Sequence, residues 1–251
     1  MFDEQSPLRI DPPSKDAGIL WAKALEVAQA LGESEDWTLV GGLMVQLHAL
    51  EHDRDTRLTT DIDVLGNARR KPQMTKRIAE ALERLGGTMA HPPTSGEDLG
   101  YQFDVDGELI EVLGPDGLKA DPQTTGRYKT FQVPGGTQAL RRTEVVWVVL
   151  AGGVATAVRR PSLLGAILIK ARVLAKRRRK KFESDRQDLI ALLSFVDDPR
   201  DLAATDGLKA SEKKWLADVA KALNFDDPSL GELFGQEQLV EARQAFEIFL
   251  S

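Results

Sequence analysis

Residues 38–45, Thr38-Leu-Val-Gly41-Gly42-Leu-Met-Val45, and residues 57–64, Arg57-Leu-Thr-Thr60-Asp61-Ile-Asp63-Val64, decide how this chain is read. Leu39 and Val40 close a short apolar strand. Gly41 and Gly42 permit a tight turn with close backbone approach, and Leu43, Val45, Leu47 and Leu50 continue with helical spacing. A helix that starts on glycines suits phosphate oxygens, because its first N–H groups have no partner within the helix. Ile62, Val64 and Leu65 are strand formers, so Asp61 and Asp63 point to one side of that strand. Two neighbouring carboxylates repel and are costly to desolvate, and a cation between them relieves both costs. Hard carboxylate oxygens suit Mg²⁺, which keeps positions for waters and substrate phosphates. Alone, each motif is also an ordinary turn or a solvated strand end. Their order carries the information: strand, Gly-Gly, helix, a polar loop with Arg54 and Arg57, then a strand bearing Asp-x-Asp.

With these residues in this order the chain resembles the nucleotidyltransferase superfamily. The form Val40-Gly41-Gly42 with Arg57-Leu-Thr-Thr-Asp61-Ile-Asp63 is most similar to the AbiEii-type group, which includes the MenT toxins of toxin–antitoxin pairs. The resemblance covers roughly residues 39–193. It implies an α/β (α+β) fold, a mixed sheet flanked by helices and followed by a helical C-terminal region. It also implies Mg²⁺ dependence, with Asp61 and Asp63 as metal ligands, and transfer of a nucleotide from an NTP co-substrate. The acceptor implied is the 3′ end of tRNA, and the further partner a cognate antitoxin. That group carries a Lys on a helix after the core and an Arg-Asp or Lys-Asp segment further on. Lys170 and Asp185 match those positions, with Asp188 next in line and Thr60 beside the Asp-x-Asp.

Lys170 also stands out without the resemblance. Leu163, Ile167, Lys170 and Leu174 fall on one helical face, so a lysine interrupts an apolar stripe. It is either a side chain snorkelling at the stripe's edge or an ammonium that holds a triphosphate and offsets charge on leaving pyrophosphate. Asp185 has a structural reading: Ser184 and Gln187 fit a capping box, and an acid in the first turn suits the helix dipole. Asp185 and Asp188 lie three apart with Leu189 and Leu192 one turn on, so both acids border the buried face. The resemblance also implies a third carboxylate on a neighbouring strand. Asp106-Gly107 marks a hairpin, which places Glu111 inside the second strand, and Asp104 is the alternative on the first. Arg57 is available to nucleotide phosphates or to a nearby acid.

Charge is uneven over a net of −6. Residues 172–181 form a basic run in which Arg172, Lys176, Arg177 and Arg178 are candidates for RNA phosphate contacts. The same cations would also suit a solvated helix end. No aromatic residues interleave with them, so backbone and shape rather than bases would be read. The chain has 251 residues, 42% hydrophobic and 29% charged, enough for a full core. It has no apolar run of membrane-spanning length, no signal-peptide pattern and no cysteine, which leads to the expectation of a cytoplasmic protein without disulfides or Cys-ligated metal. His48, His52 and His91 are expected at the surface or at helix ends.

Periodicity and punctuation predict helices at 16–31, 42–51 and 72–85, and strands at 37–40, 60–65, 87–91, 100–106, 108–113, 128–133 and 144–150. Further helices follow at 162–182, 184–196, 211–223 and 236–250. Trp215, Phe246 and Phe249 are read as core. This divides the chain into residues 1–160, a nucleotidyltransferase core with an N-terminal helix, and residues 161–251, a helical region lending Lys170 and Asp185 to the site. Two other function classes fit the same motifs: a related enzyme acting on a small-molecule or protein hydroxyl, and a non-catalytic nucleotide- or protein-binding module.

Overall fold

The computed structural model describes residues 6–32, 34–90, 98–176 and 181–251. In chain order these form β1 (Leu8–Ile10), α1 (Lys15–Leu31), β2 (Trp37–Val40), α2 (Gly41–Glu51), β3 (Asp61–Gly66), α3 (Met74–Arg84), β4 (Thr88–Met89), β5 (Gln102–Val105) and β6 (Glu108–Pro115). There follow β7 (Gln132–Val133), α4 (Gly136–Arg141), β8 (Thr143–Leu150), β9 (Thr156–Pro161), α5 (Leu163–Lys176), α6 (Phe182–Ser194), α7 (Pro199–Thr205), α8 (Ala210–Leu223) and α9 (Pro228–Leu250). The result is a mixed α+β fold: one mixed sheet in the order β2-β3-β6-β5-β4, with β7 pairing β6, and a second sheet β1-β8-β9. Among the described residues no helix is long and apolar enough to cross a membrane.

The register that matters is set by β3. It runs antiparallel to β2, with Val40 opposite Asp63, and parallel to β6, with Asp63 opposite Glu111. Side chains alternate along β3, so Ile62 and Val64 enter one apolar cluster with α1, α3, Phe103, Ile110 and Val112. Asp61 and Asp63 consequently face the other side of the sheet.

Helix α2 is apolar nearly all round, as befits a helix buried between two layers. Leu43 and Leu47 pack into the cluster beneath the sheet, while Met44, Val45 and Ala49 pack with α5, α6, α8 and α9. That second cluster also takes in Val40, Leu65 and Leu113, so apolar packing is continuous across the change from mixed to helical structure near residue 160.

Several expectations need correction. The helix expected over 162–182 ends at Lys176 among the described residues, and Lys181 is the left-handed residue (φ 62°) before a new helix at Phe182. The Ser184–Gln187 capping box therefore does not form: α6 starts two residues early without a side-chain cap, and the Ser184 hydroxyl donates to the Lys181 carbonyl at 3.0 Å. Strands expected at 87–91 and 128–133 shrink to two residues each, with His91 outside the described residues. Elements β1, α4, β9 and α7 were not anticipated. In β9, Arg160 is 1% exposed and pairs with Glu51 and Glu144. The last helix contains a break at Gly235 (φ 74°), so the segment expected from 236 is its second piece.

His48 is also not at the surface. It is 1% exposed, and its Nε2 lies 3.1 Å from the Pro161 carbonyl, tying α2 to the end of β9. Burial pulls its pKa down to about 4, against the opposing pull of Glu51. Burial alone would raise Glu51, but His48 and Arg160 outweigh it and hold that carboxyl at about 2. His52 does close α2, stacking on Phe195 with ring centroids 5.3 Å apart. Both shifted groups bind fewer protons folded than unfolded, so stability falls on acidification, first from pH 6.5 towards 4 through His48 and then from 4.5 towards 2 through Glu51. His48→Gln keeps a donor for Pro161 but cannot titrate. Urea unfolding of this variant between pH 6.5 and 4 should show a loss smaller than wild type by about 2 kcal/mol.

Candidate active site

The strand-to-helix turn after β2 is shaped by what it must leave room for. Gly41 has φ 71°, and a Cβ there would overlap the Asp63 carboxylate, so Asp63 rests against the bare Cα of Gly41. Gly42 makes space in the same way for Thr59, whose Cβ lies 2.6 Å from the position a Gly42 Cβ would take. Both contacts follow from the register that sets Val40 beside Asp63. The N-cap residue Val40 has no side chain to bond the first N–H groups of α2, so this helix start lacks a side-chain cap.

Around that turn is a cavity of 470 Å³ lined by Gly41, Gly42, Arg57, Thr59, Thr60, Asp61, Asp63, Glu111, Lys170, Lys176, Lys181 and Asp185, with an apolar wall that includes Phe131, Val133 and Val173. The structure thus brings together Asp61, Asp63, Glu111, Lys170, Asp185, Arg57 and both glycines. Glu111 accepts a hydrogen bond from Gln102 Nε2 at 2.8 Å on the next strand. Asp104 does not join them: it is exposed and accepts from the Gly107 N–H in the hairpin.

Desolvation pushes Asp63 up to about 8, with repulsion from Asp61 and Glu111 adding to it and Lys170 and Lys181 pulling the other way. Asp61 goes in the opposite direction. Burial would raise it, but Lys181 donates to Oδ2 at 2.8 Å and Thr59 donates to Oδ1 at 2.7 Å, and together they hold its carboxyl below the usual range. This acidic face calls for positive charge. Among the described residues no three acids close into a cation cage of their own. Asp61 and Asp63 instead present an open pair of hard oxygen donors, a set that a divalent cation can use when water and phosphate complete its shell.

Asp188 is a hub. It is 1% exposed, accepts two bonds from Arg57 (Nε at 2.7 Å, Nη2 at 2.8 Å) and a third from Lys170 Nζ at 2.6 Å. Lys170 also lies 3.6 Å from Asp185. Burial would lower the Lys170 ammonium, but Asp188 and Asp185 outweigh it and keep it charged. Arg57 thus pairs with an acid while it lines the cavity, and its backbone carbonyl is held by Gln46 Nε2 at 3.0 Å while Gln46 accepts from Trp21.

Of the candidates for RNA contact, Lys176 lines the cavity, while Arg172 stacks its guanidinium 5.0 Å over Trp215. Arg177 and Arg178 lie outside the described residues. Sequence reasoning missed Thr59 and Lys181. Thr59 shares the alternation of Asp61 and Asp63, a signal that was available; Thr60 also lines the cavity.

No family model and no curated protein matches this chain. Among solved structures the chain is similar to the antibiotic-resistance factor ANT(2″)-Ia in solution, at 19% identity over 86% of this chain and 94% of that one, with a TM-score of 0.36. It is similar also to crystalline ANT(2″)-Ia in complex with adenylyl-2″-tobramycin, at 16% identity over 93% and 98%, with a TM-score of 0.32. Likeness at this level assigns neither an activity nor an acceptor.

Two outcomes are expected. Asp63 binds a proton in the folded state that it gives up when unfolded, so it costs stability increasingly as pH rises from 3.8 towards about 8. Asp63→Asn should then be more stable than wild type at pH 7.5, on the order of 2 kcal/mol in urea unfolding, and should lose any stabilisation by divalent cation. Asp188→Asn leaves Lys170 and Arg57 without their shared anion. It should lower unfolding free energy by about 3 kcal/mol, against no change if the hub is incidental.

Proposed function

We propose that this chain is a nucleotidyltransferase that moves an NMP from a metal-bound NTP to an acceptor hydroxyl. The observation that carries the reading is the convergence of Asp61, Asp63 and Glu111 on one face of β3 and β6, beside the uncapped start of α2 and with Lys170 in the same cavity. Asp61 and Asp63 would hold Mg²⁺, which when bound neutralises phosphate charge and polarises the α-phosphorus. The N–H groups of the Gly41–Gly42 turn would take phosphate oxygens, a role that the uncapped start of α2 supports. Lys170, kept charged by Asp188 and Asp185, stabilises charge that develops on the leaving group. The acceptor oxygen attacks the α-phosphorus in line, the bond to the β-phosphate oxygen breaks and pyrophosphate leaves. The hydroxyl proton passes to Glu111, oriented by Gln102, with Asp185 as the second candidate.

A cavity of 470 Å³ suits one nucleotide with a single reacting end beside it. We propose the 3′ end of tRNA as that end, and with it a toxin role held in check by an antitoxin. Lys176 in the cavity lining, within the basic run, supports a polyanionic acceptor that approaches from this side.

Incubation of the protein with Mg²⁺, each α-labelled NTP and total tRNA tests both levels. Label is expected in RNA with wild type, and at least a hundredfold less with Asp63→Ala. Label released as free NMP or attached to a small molecule or protein would retain the transferase and discard the RNA acceptor. NTP binding without turnover on any acceptor would leave only the binding-module reading.

A further inference from the structure

Lys181 is a cation already seated on the acidic face. Its ammonium donates to Asp61 Oδ2 at 2.8 Å, on the face that Asp63 and Glu111 share. The other Asp61 oxygen is taken by the Thr59 hydroxyl at 2.7 Å. Each oxygen of Asp61 thus already accepts one hydrogen bond, and a divalent cation about 2.1 Å from Oδ2 would sit against the ammonium, whose like charge opposes it until the ammonium leaves. The ammonium can leave: the Lys181 side chain is 47% exposed, against 14% for Asp61. It projects from the left-handed residue that begins α6, in the wall of the same cavity.

We propose that Lys181 is a displaceable internal cation that couples metal capture to nucleotide binding. The inference rests on the nucleotidyltransferase reading above. A bare divalent cation must evict the ammonium into water and gains nothing from its new position. A cation that arrives with a triphosphate brings an anion on which the evicted ammonium lands, so the same side chain opposes metal alone and favours the metal–nucleotide complex. By linkage, nucleotide then tightens metal binding and metal tightens nucleotide binding. Lys181 is a positioning residue in this scheme; no bond forms to it.

The test is Mn²⁺ binding, read by the free-ion paramagnetic signal, to wild type, Lys181→Asn and Lys181→Arg with and without a non-hydrolysable NTP analogue. Asn tolerates the left-handed backbone, and equal melting temperatures check folding. Should Lys181→Asn melt early, Lys181→Gln takes its place. An exposed ion pair contributes at most about fivefold, so Lys181→Asn should bind Mn²⁺ alone about two- to fivefold tighter than wild type. Tightening of Mn²⁺ by the analogue should shrink by about tenfold, and Lys181→Arg should behave as wild type on both counts. If metal alone binds Lys181→Asn no tighter than wild type, displacement is wrong. If the tightening by analogue persists undiminished, the coupling is wrong. A protein that binds Mn²⁺ more tightly on loss of Lys181 yet binds no nucleotide overturns the transferase reading and the coupling together, and leaves only the displacement.

Discussion

The contact between the Asp63 carboxylate and the bare Cα of Gly41 is the constraint on which the site depends. It requires glycine twice over, for the close approach and for φ 71°, and it fixes the start of α2 against the acidic face of β3. The same contact strips Asp63 of water beside Asp61 and Glu111, which is why its carboxyl holds a proton near neutrality when no added cation is near. Stability is given up at this point, and α2 compensates by burying apolar side chains into both layers of the molecule.

Around this desolvated acidic centre the remaining charges are arranged as two counterweights of different kinds. Asp188 is buried, accepts three charge-assisted bonds, and locks the polar loop of Arg57 to the helix of Lys170. That counterweight is fixed, since removal of a partner would strand buried charge. Lys181 on Asp61 is half exposed and held by one bond, which makes it the exchangeable one. On the proposed reading, a site that admits a metal and a tetra-anion would use both: rigid charges for orientation and a mobile charge that can be traded.

The central motif was legible because it is local. Alternation in β3 and the Gly-Gly helix start are written in adjacent residues, and so is the lysine that interrupts the stripe of α5. The pairing of Asp63 with Glu111 was less so. It depends on a parallel register between strands more than 40 residues apart in sequence, which no local periodicity encodes. Thr59 could have been found by the same parity that paired the two aspartates. Lys181 could not, because in sequence it is the last member of a basic run and only the left-handed turn before α6 aims it into the cavity. His48 misled for the opposite reason: a polar residue type suggests surface, while here a buried carbonyl supplies its partner.

The most direct measurement is a crystal structure with Mn²⁺ and a non-hydrolysable NTP, with the cation located by anomalous scattering. The account predicts a cation peak about 2.1 Å from oxygens of both Asp61 and Asp63, phosphate oxygens on the N–H groups of the Gly41–Gly42 turn, and the Lys181 ammonium moved from Asp61 to the triphosphate. A nucleotide seated elsewhere, or a cation peak that touches neither Asp61 nor Asp63, would contradict it.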